Sequence, residues 1–280
     1  MPDTSFAIII PSYNSADFVA ATIRSALIQN AENVIVVDDG STDATPAVCA
    51  EFGDQITYHR VPNGGVCKAR NLGATLTSAE WLLFLDSDDL LLEGAATALV
   101  ARARGEKCGV AYGGVMRRGK TREEDTIISH PHIAGAPPVP ALANFRRSLI
   151  ITPGCAVVHR DVFAWVGGFV DGFQPMEDRD FWVKAGLRTG FAFCERTVLD
   201  KGWREGSALT MITRRIPNSL RSQLLLSAWC RERGVDSRII PSSPTALIRQ
   251  AFNDAGYRRL WSIFPKLTAI ALRYWAGCRI

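Results

Sequence analysis

Short runs of consecutive apolar residues alternate, over the first ninety positions, with stretches in which apolar residues recur every three or four places. Residues 6–11 (FAIIIP), 34–38 (VIVVD), 56–61 (ITYHRV) and 81–86 (WLLFLD) are of the first kind. The first, second and fourth are too short for stable helices and apolar up to their last residue, the pattern of strands buried on both faces, and 56–61 reads as a third strand between them. Residues 17–29 (DFVAATIRSALIQ), 43–52 (DATPAVCAEF) and 66–76 (VCKARNLGATL) are of the second kind and predict helices. Ser15 is placed to cap the first, and Ser41, Thr42 and Asp43 open the second. Strand and helix in alternation predict an α/β fold, a parallel sheet covered on both faces, with ligands bound beyond the carboxyl ends of its strands.

Beyond Gly94 the pattern loosens. Residues 110–120 read as a further strand of the sheet, and residues 121–140, with four prolines and two histidines, as a long loop. A second αβ portion continues to about residue 209, and residues 212–280 read as helices broken near Pro241, Pro244 and Pro265. This divides the chain into residues 1–211 and a helical extension, 212–280. No apolar run reaches the 18 or so residues of a membrane-spanning helix. The N-terminal stretch lacks a basic region ahead of its short apolar segment, so no signal peptide is expected.

Composition, 47% hydrophobic and 21% charged, is that of a folded soluble protein. The seven cysteines are scattered and never paired as C-x-x-C, which suits reduced cytosolic thiols and not a disulfide framework or a zinc site. His130 and His132 read as solvated loop residues. Charge changes the picture more. Residues 1–211 carry 20 basic and 25 acidic side chains, whereas residues 212–280 carry 12 and 3. A basic tail on a mildly acidic body suggests an anionic partner; with no nucleic-acid motif beside it, a membrane surface is favoured. Within the tail, residues 257–275 (YRRLWSIFPKLTAIALRYW) set Arg258, Arg259, Lys266 and Arg273 among Trp261, Phe264, Tyr274 and Trp275. That mixture suits a helix lying in a membrane interface, or equally one packed on the domain with a solvated basic face.

The polar residues collect where the strands end: Ser12, Tyr13 and Asn14 after the first, Asp38 and Asp39 after the second, Asp86 and Asp88 after the fourth. Each cluster alone has an ordinary reading as turn and cap chemistry, but three at one edge of a sheet make a site. In WLLFLDSDD, an extended chain would turn Asp86 and Asp88 to one face and Ser87 and Asp89 aside. Two unpaired carboxylates on one face repel, and a divalent cation relieves them. Hard oxygen ligands completed by water and phosphate describe Mg2+ or Mn2+ bound with a diphosphate. In NGGVCKARNLG, Gly64 and Gly65 open a helix carrying Lys68 and Arg70. It is neither G-x-G-x-x-G nor a Walker loop, which removes the main support for a dinucleotide oxidoreductase or a P-loop enzyme.

Taken in order, IIIPSYN (8–14), VIVVDDGSTD (34–43), NGGVCKARNLG (63–73), FLDSDD (84–89), VGGF (166–169) and MEDRDFW (176–182) resemble glycosyltransferase family 2, with its GT-A fold: a Rossmann-like, mostly parallel sheet flanked by helices. The resemblance implies inverting transfer of a sugar, most often from a UDP-linked donor, and divides residues 1–211 into a nucleotide-binding half (1–93) and an acceptor-binding half (94–211). Pro11, Tyr13 and Asn14 would frame the nucleotide, with Tyr13 stacked on the base. Asp39 would accept from the uracil imide and Arg70 would lie near the same base, with Gly65 and Ser87 among the donor contacts. Asp86 would reach the ribose and Asp88 would hold Mn2+ or Mg2+. Asp178 would be the general base, with Glu177 and Trp182 on the acceptor side. One departure concerns KGWREGSALT, where Arg204 stands in the position of a residue that is often histidine in the family; there it would clamp the diphosphate, since a guanidinium pairs bidentately with phosphate.

These expectations describe a cytoplasmic, metal-dependent hexosyltransferase, at the inner face of the cytoplasmic membrane if the basic tail engages it. Its partners would be a nucleotide-sugar donor and a glycan or lipid-linked acceptor in bacterial surface polysaccharide or glycolipid assembly, with no nucleic acid. The alternatives are a non-catalytic nucleotide-sugar binder of the same fold and a nucleotidyltransferase. The latter is disfavoured because Pro11-Ser12-Tyr13-Asn14 is not a Gly-rich, Arg-containing loop.

Overall fold

The computed structural model describes residues 5–119, 121–147, 150, 152–172, 176–202 and 212–235. Its first half is the predicted alternation: β1 (Phe6–Ser12), α1 (Val19–Leu27), β2 (Asn33–Asp38), α2 (Thr45–Ala50), β3 (Thr57–Arg60), α3 (Val66–Thr75) and β4 (Trp81–Phe84). β1 pairs in parallel with β2 on one side and β4 on the other, and β3 closes that edge beside β2. All seven residues of β1 are buried, which is why its sequence does not alternate: both faces meet helices. α3 lies across β1 and β2 with Gly73 at the crossing, where a Cβ would run into Ile9 Cγ2. The chain order places β1 between β2 and β4, so consecutive strands diverge on either side of it and leave a crevice at their carboxyl ends.

The second half comprises β5 (Asp89–Leu91), α4 (Ala95–Gly105), β6 (Val110–Arg117), β7 (Thr126–Ile128), α5 (Val139–Arg147), β8 (Ala156–His159), α6 (Arg160–Val166), α7 (Glu177–Arg188), β9 (Phe191–Lys201) and α8 (Ile212–Glu232). It continues the sheet in the order β4-β8-β6-β9-β5. Here the predicted parallel pattern gives way to a mixed one: β8 is antiparallel to both β4 and β6, and β5 is antiparallel to β9.

Other expectations change locally. Ser15 does not cap α1. Its carbonyl accepts from both Phe18 N and Val19 N at 2.9 Å, a turn that delays the helix, while its hydroxyl faces Ser87 Oγ at 2.8 Å. Residues 121–140 are not simply a loop: β7 pairs with β6, and α5 begins at Val139. Pro140 falls in the first turn of α5, where a missing N–H is no loss. The described cysteines are free thiols, five of the six buried. Among the described residues no helix is long and apolar enough to cross a membrane. The basic stretch 257–275 lies outside the described residues.

Candidate active site

The ends of β1 and β2 are tied together before any ligand is considered. Asn14 adopts a left-handed backbone (φ 48°), and its side-chain oxygen accepts from Thr42 N at 2.8 Å. Asn14 N donates to Ser41 Oγ at 3.0 Å. The two aspartates after β2 divide their labour. Asp38 points inward, accepting from Tyr58 Oη at 2.6 Å and Ser41 N at 2.8 Å, and is structural. Asp39 is oriented by the start of α3: Oδ1 accepts from Gly64 N at 2.7 Å and Oδ2 from Gly65 N at 2.8 Å. Gly65 is at φ 93°, a conformation that presents its N–H to the carboxylate at low steric cost. Each carboxylate oxygen keeps a second lone pair for a ligand. Tyr13 stands beside this pair, 49% exposed, and Pro11 is buried at the end of β1.

The acidic stretch after β4 does not run extended. Asp89 N donates to Asp86 O at 3.1 Å, closing a turn over Ser87 and Asp88, and β5 starts at once. The predicted pairing of Asp86 with Asp88 on one face is thereby replaced. Asp86 and Asp89 converge instead, with Thr152 Oγ1 3.1 Å from Asp86 Oδ2 and 3.3 Å from Asp89 Oδ2. Small polar residues in sequence favour a turn over a strand, which is why the two-residue period fails here. Asp88 stays half-buried on the turn, and Ser87 Oγ meets Ser15 Oγ.

Two cations of the chain itself stand among these carboxylates. Lys201, at the end of β9, holds Asp89 with Nζ 3.2 and 3.0 Å from its two oxygens. Arg70, on α3, reaches Asp86 Oδ1 through Nη2 and Asp178 Oδ1 through Nη1, both at 2.7 Å, with Glu177 Oε1 3.8 Å away. Asp178 and Glu177 open α7, so the guanidinium joins the two halves of the chain. Burial pushes the Asp86 carboxyl up, but the Arg70 and Lys201 charges and the hydrogen bonds to it more than reverse this, leaving it below its ordinary value. Asp178 goes the other way: burial outweighs Arg70 and raises it. Burial and the neighbouring Asp178 push Glu177 up to about 8, and its Oε2 has no hydrogen-bond partner. Burial likewise takes Asp89 to about 7 despite Lys201.

Several assignments from sequence take a different place. Arg70 is 2% exposed, behind the carboxylates and not at the open edge. Trp182 is a core side chain, 1% exposed, with its ring edge-on to Phe181 at 4.9 Å and Phe191 at 6.2 Å; α7 is buried on all sides around it. Arg204 lies outside the described residues. Sequence reasoning missed Lys201 and Thr152. Neither carried a local signal: β9 (FAFCERTVLDK) also holds Arg196, and nothing around Thr152 marks it.

Among the described residues no three His, Cys, Asp or Glu side chains converge as a metal site. Asp88 is half-buried on the turn between Asp86 and Asp89, a place from which a carboxylate can meet a cation. A single protein carboxylate, completed by phosphate and water oxygens, is the donor set Mg2+ and Mn2+ accept, so the residues present fit such an ion.

Against known proteins, the model of the family described as glycosyl transferase family 2 matches residues 7–166. An uncharacterized glycosyltransferase of Rickettsia bellii is 42% identical over 208 residues, 70% of this chain and 29% of that protein. The chain spans less than half the length of the curated relatives it matches. Among solved structures, S. aureus TarS 1-349 aligns with a TM-score of 0.64 at 17% identity, covering 98% of this chain and 78% of that one; TarS 1-349 is also known in complex with UDP-GlcNAc. The mannosyltransferase PcManGT of Pyrobaculum calidifontis, in complex with GDP-Man and Mn2+, aligns at 0.58 and 18% identity, covering 98% and 76%. At those identities the likeness is one of fold, GT-A.

Proposed function

The chain belongs to glycosyltransferase family 2, and from that premise we propose that it transfers a hexosyl group from a nucleoside-diphosphate donor, a UDP-sugar in the first place, to an acceptor hydroxyl with inversion at the anomeric carbon. The observation that carries this reading is Asp178. Its side chain is 26% exposed, one oxygen is fixed by Arg70, and its affinity for a proton is raised. A base needs all three: access, orientation and a pKa nearer the working pH.

On this reading Tyr13 offers its exposed ring to the nucleotide base, and Asp39, held by Gly64 N and Gly65 N, accepts from the base imide. Asp86, kept ionised by Arg70, takes a ribose hydroxyl. Asp88 would hold Mn2+ or Mg2+, which would supply Lewis-acid neutralisation of the departing diphosphate. Asp178 Oδ2 takes the acceptor proton as the acceptor oxygen attacks the anomeric carbon and the bond from that carbon to the phosphate oxygen breaks. One base suffices, unlike the two carboxyls of a glycosidase. UDP-GlcNAc and GDP-Man are ligands of the similar structures, which supports a nucleotide-sugar donor and leaves UDP favoured through Asp39.

The proposal extends to residues 1–211 as the catalytic domain and 212–280 as a helical extension. It includes a glycan or lipid-linked acceptor of bacterial surface polysaccharide or glycolipid assembly, met at the inner face of the cytoplasmic membrane. What supports this part is the basic, aromatic-rich composition of residues 257–275. Arg204 as a diphosphate clamp belongs to the same proposal.

The test is Asp178→Asn. Nucleotide release from donor should fall by about 10²–10⁴-fold, the usual contribution of a general base, while nucleotide affinity holds. Unchanged turnover would sink the assignment and favour a binder without catalysis.

A further inference from the structure

The guanidinium of Arg70 is 3% exposed, whereas the two carboxylates it holds, Asp86 and Asp178, are each 26% exposed. The charges that can meet a substrate therefore stand in front, and the arginine stands behind them. What fixes it there is a clasp between α3 and the segment before α7. The guanidinium carbon lies 5.0 Å from the centre of the Phe169 ring. Phe169 stacks on Phe181 at 4.4 Å and meets Phe84 edge-on at 5.0 Å. Phe84 ends β4 two residues before Asp86, and Phe181 lies on α7 three residues after Asp178. The aromatic stack thus joins the same two elements that carry the two carboxylates.

The residue after Arg70 completes the clasp. Asn71 Nδ2 donates to Phe169 O at 2.8 Å and Phe169 N donates to Asn71 Oδ1 at 2.9 Å, so one side chain satisfies both backbone groups of residue 169. The preceding Gly168 is at φ 77°, and a Cβ there would lie 2.6 Å from Asn71 Oδ1. Only glycine lets the chain pass so close to the amide in that conformation. The stretches ARN (69–71) and GGF (167–169), about a hundred residues apart, are two halves of one device.

We propose that Arg70 is a positioning residue: it fixes the orientation of the base Asp178 relative to the donor-side carboxylate Asp86, and does not itself touch the donor. The inference rests on Asp178 being the base. A planar guanidinium offers two parallel N–H groups in a rigid fork, here split between two carboxylates. A lysine has one compact ammonium and can replace one contact but not the pair. Without either, Asp86, Asp178 and Glu177 are left as neighbouring acids, and Asp178 loses the bond that aims it.

The experiment compares wild type, Arg70→Met, Arg70→Lys, Asp178→Asn and the double variant Asp178→Asn with Arg70→Met. Two readouts are taken with Mn2+ present: nucleotide release to water from UDP-N-acetylglucosamine and GDP-mannose, and calorimetric binding of UDP and GDP. Arg70→Met should lower kcat by about 100-fold or more, the low end of what a base contributes, and Arg70→Lys should recover part of the loss. Nucleotide affinity should fall by much less than kcat in both, by the share that Asp86 loses with its Arg70 partner. In the Asp178→Asn background the Arg70 substitution should lower kcat by less than about threefold, because it acts through a base already removed.

Nucleotide affinity that falls with Arg70 while kcat holds would make Arg70 a donor contact and overturn the proposal. Equal losses in the two backgrounds would make its role merely structural and overturn it too. Arg70→Lys keeps a buried cation and supplies the test should Arg70→Met fail to fold. Full kcat in Asp178→Asn would remove the base and the proposal with it; a wild type that binds neither nucleotide would remove the transferase reading itself.

Discussion

Glu177 shows at the scale of one side chain how the site trades stability for chemistry. It is 7% exposed, one oxygen has no hydrogen-bond partner, and burial, with Asp178 beside it, takes its pKa from 4.5 to about 8. A carboxyl that holds its proton more tightly folded than unfolded contributes stability in full below pH 4.5 and loses it as the pH rises through about 8. Glu177→Gln keeps the shape and removes the titration. It should therefore gain on wild type by on the order of a few kcal/mol at pH 9 and by nothing at pH 4, as read by denaturant melts at the two values. An advantage independent of pH would mean that Glu177 does not carry this burden. The residues that end the strands were legible one by one, because carboxylates after apolar runs are conspicuous. Their partners were not: Arg70 to Asp178 and Lys201 to Asp89 are pairs more than a hundred positions apart, and nothing local in either segment announces them.

At the scale of elements, β1, β2 and β4 were legible because burial on both faces writes a continuous apolar run, whereas the edge strand β3, Thr57–Arg60, is largely exposed and carries no such run. β5 was hidden, since Asp89-Leu90-Leu91 is three residues long and directly follows the acidic turn. The antiparallel β8 was hidden because strand direction depends on partners that are distant in sequence. α3 carries Arg70, so its seat on the sheet sets the site. Gly73 is at that seat, and an added Cβ would overlap Ile9 Cγ2 and come within 3.4 Å of Val37 Cγ2. Gly73→Ala should cost about 1–3 kcal/mol by overpacking and lower kcat together with stability, as α3 shifts. Gly105, at the end of α4, has nothing within 4 Å of an added Cβ. Gly105→Ala should stabilise by up to about 1 kcal/mol and leave kcat alone. Thermal melts and turnover on the two variants check both statements; a tolerated Gly73→Ala would mean that α3 is not packed as described.

Across the whole molecule, Tyr13 and Asp39 follow β1 and β2, Asp86 and Asp88 follow β4 and Asp178 opens α7, with Arg70 buried and Lys201 partly buried among the acids. Asp86 and Asp178 are hydrogen-bonded to Arg70 and Asp89 to Lys201, and Glu177 Oε1 lies 3.8 Å from Arg70. On the proposed reading, a diphosphate approaching these acids would need a further positive charge beside it. That requirement is the central claim, and calorimetric titration of UDP and GDP with and without Mn2+, on wild type and Asp88→Ala, tests it most directly. The account predicts nucleotide binding that depends on the metal in wild type and is lost in Asp88→Ala. Binding of equal strength in the two proteins, or none by wild type under either condition, would contradict it.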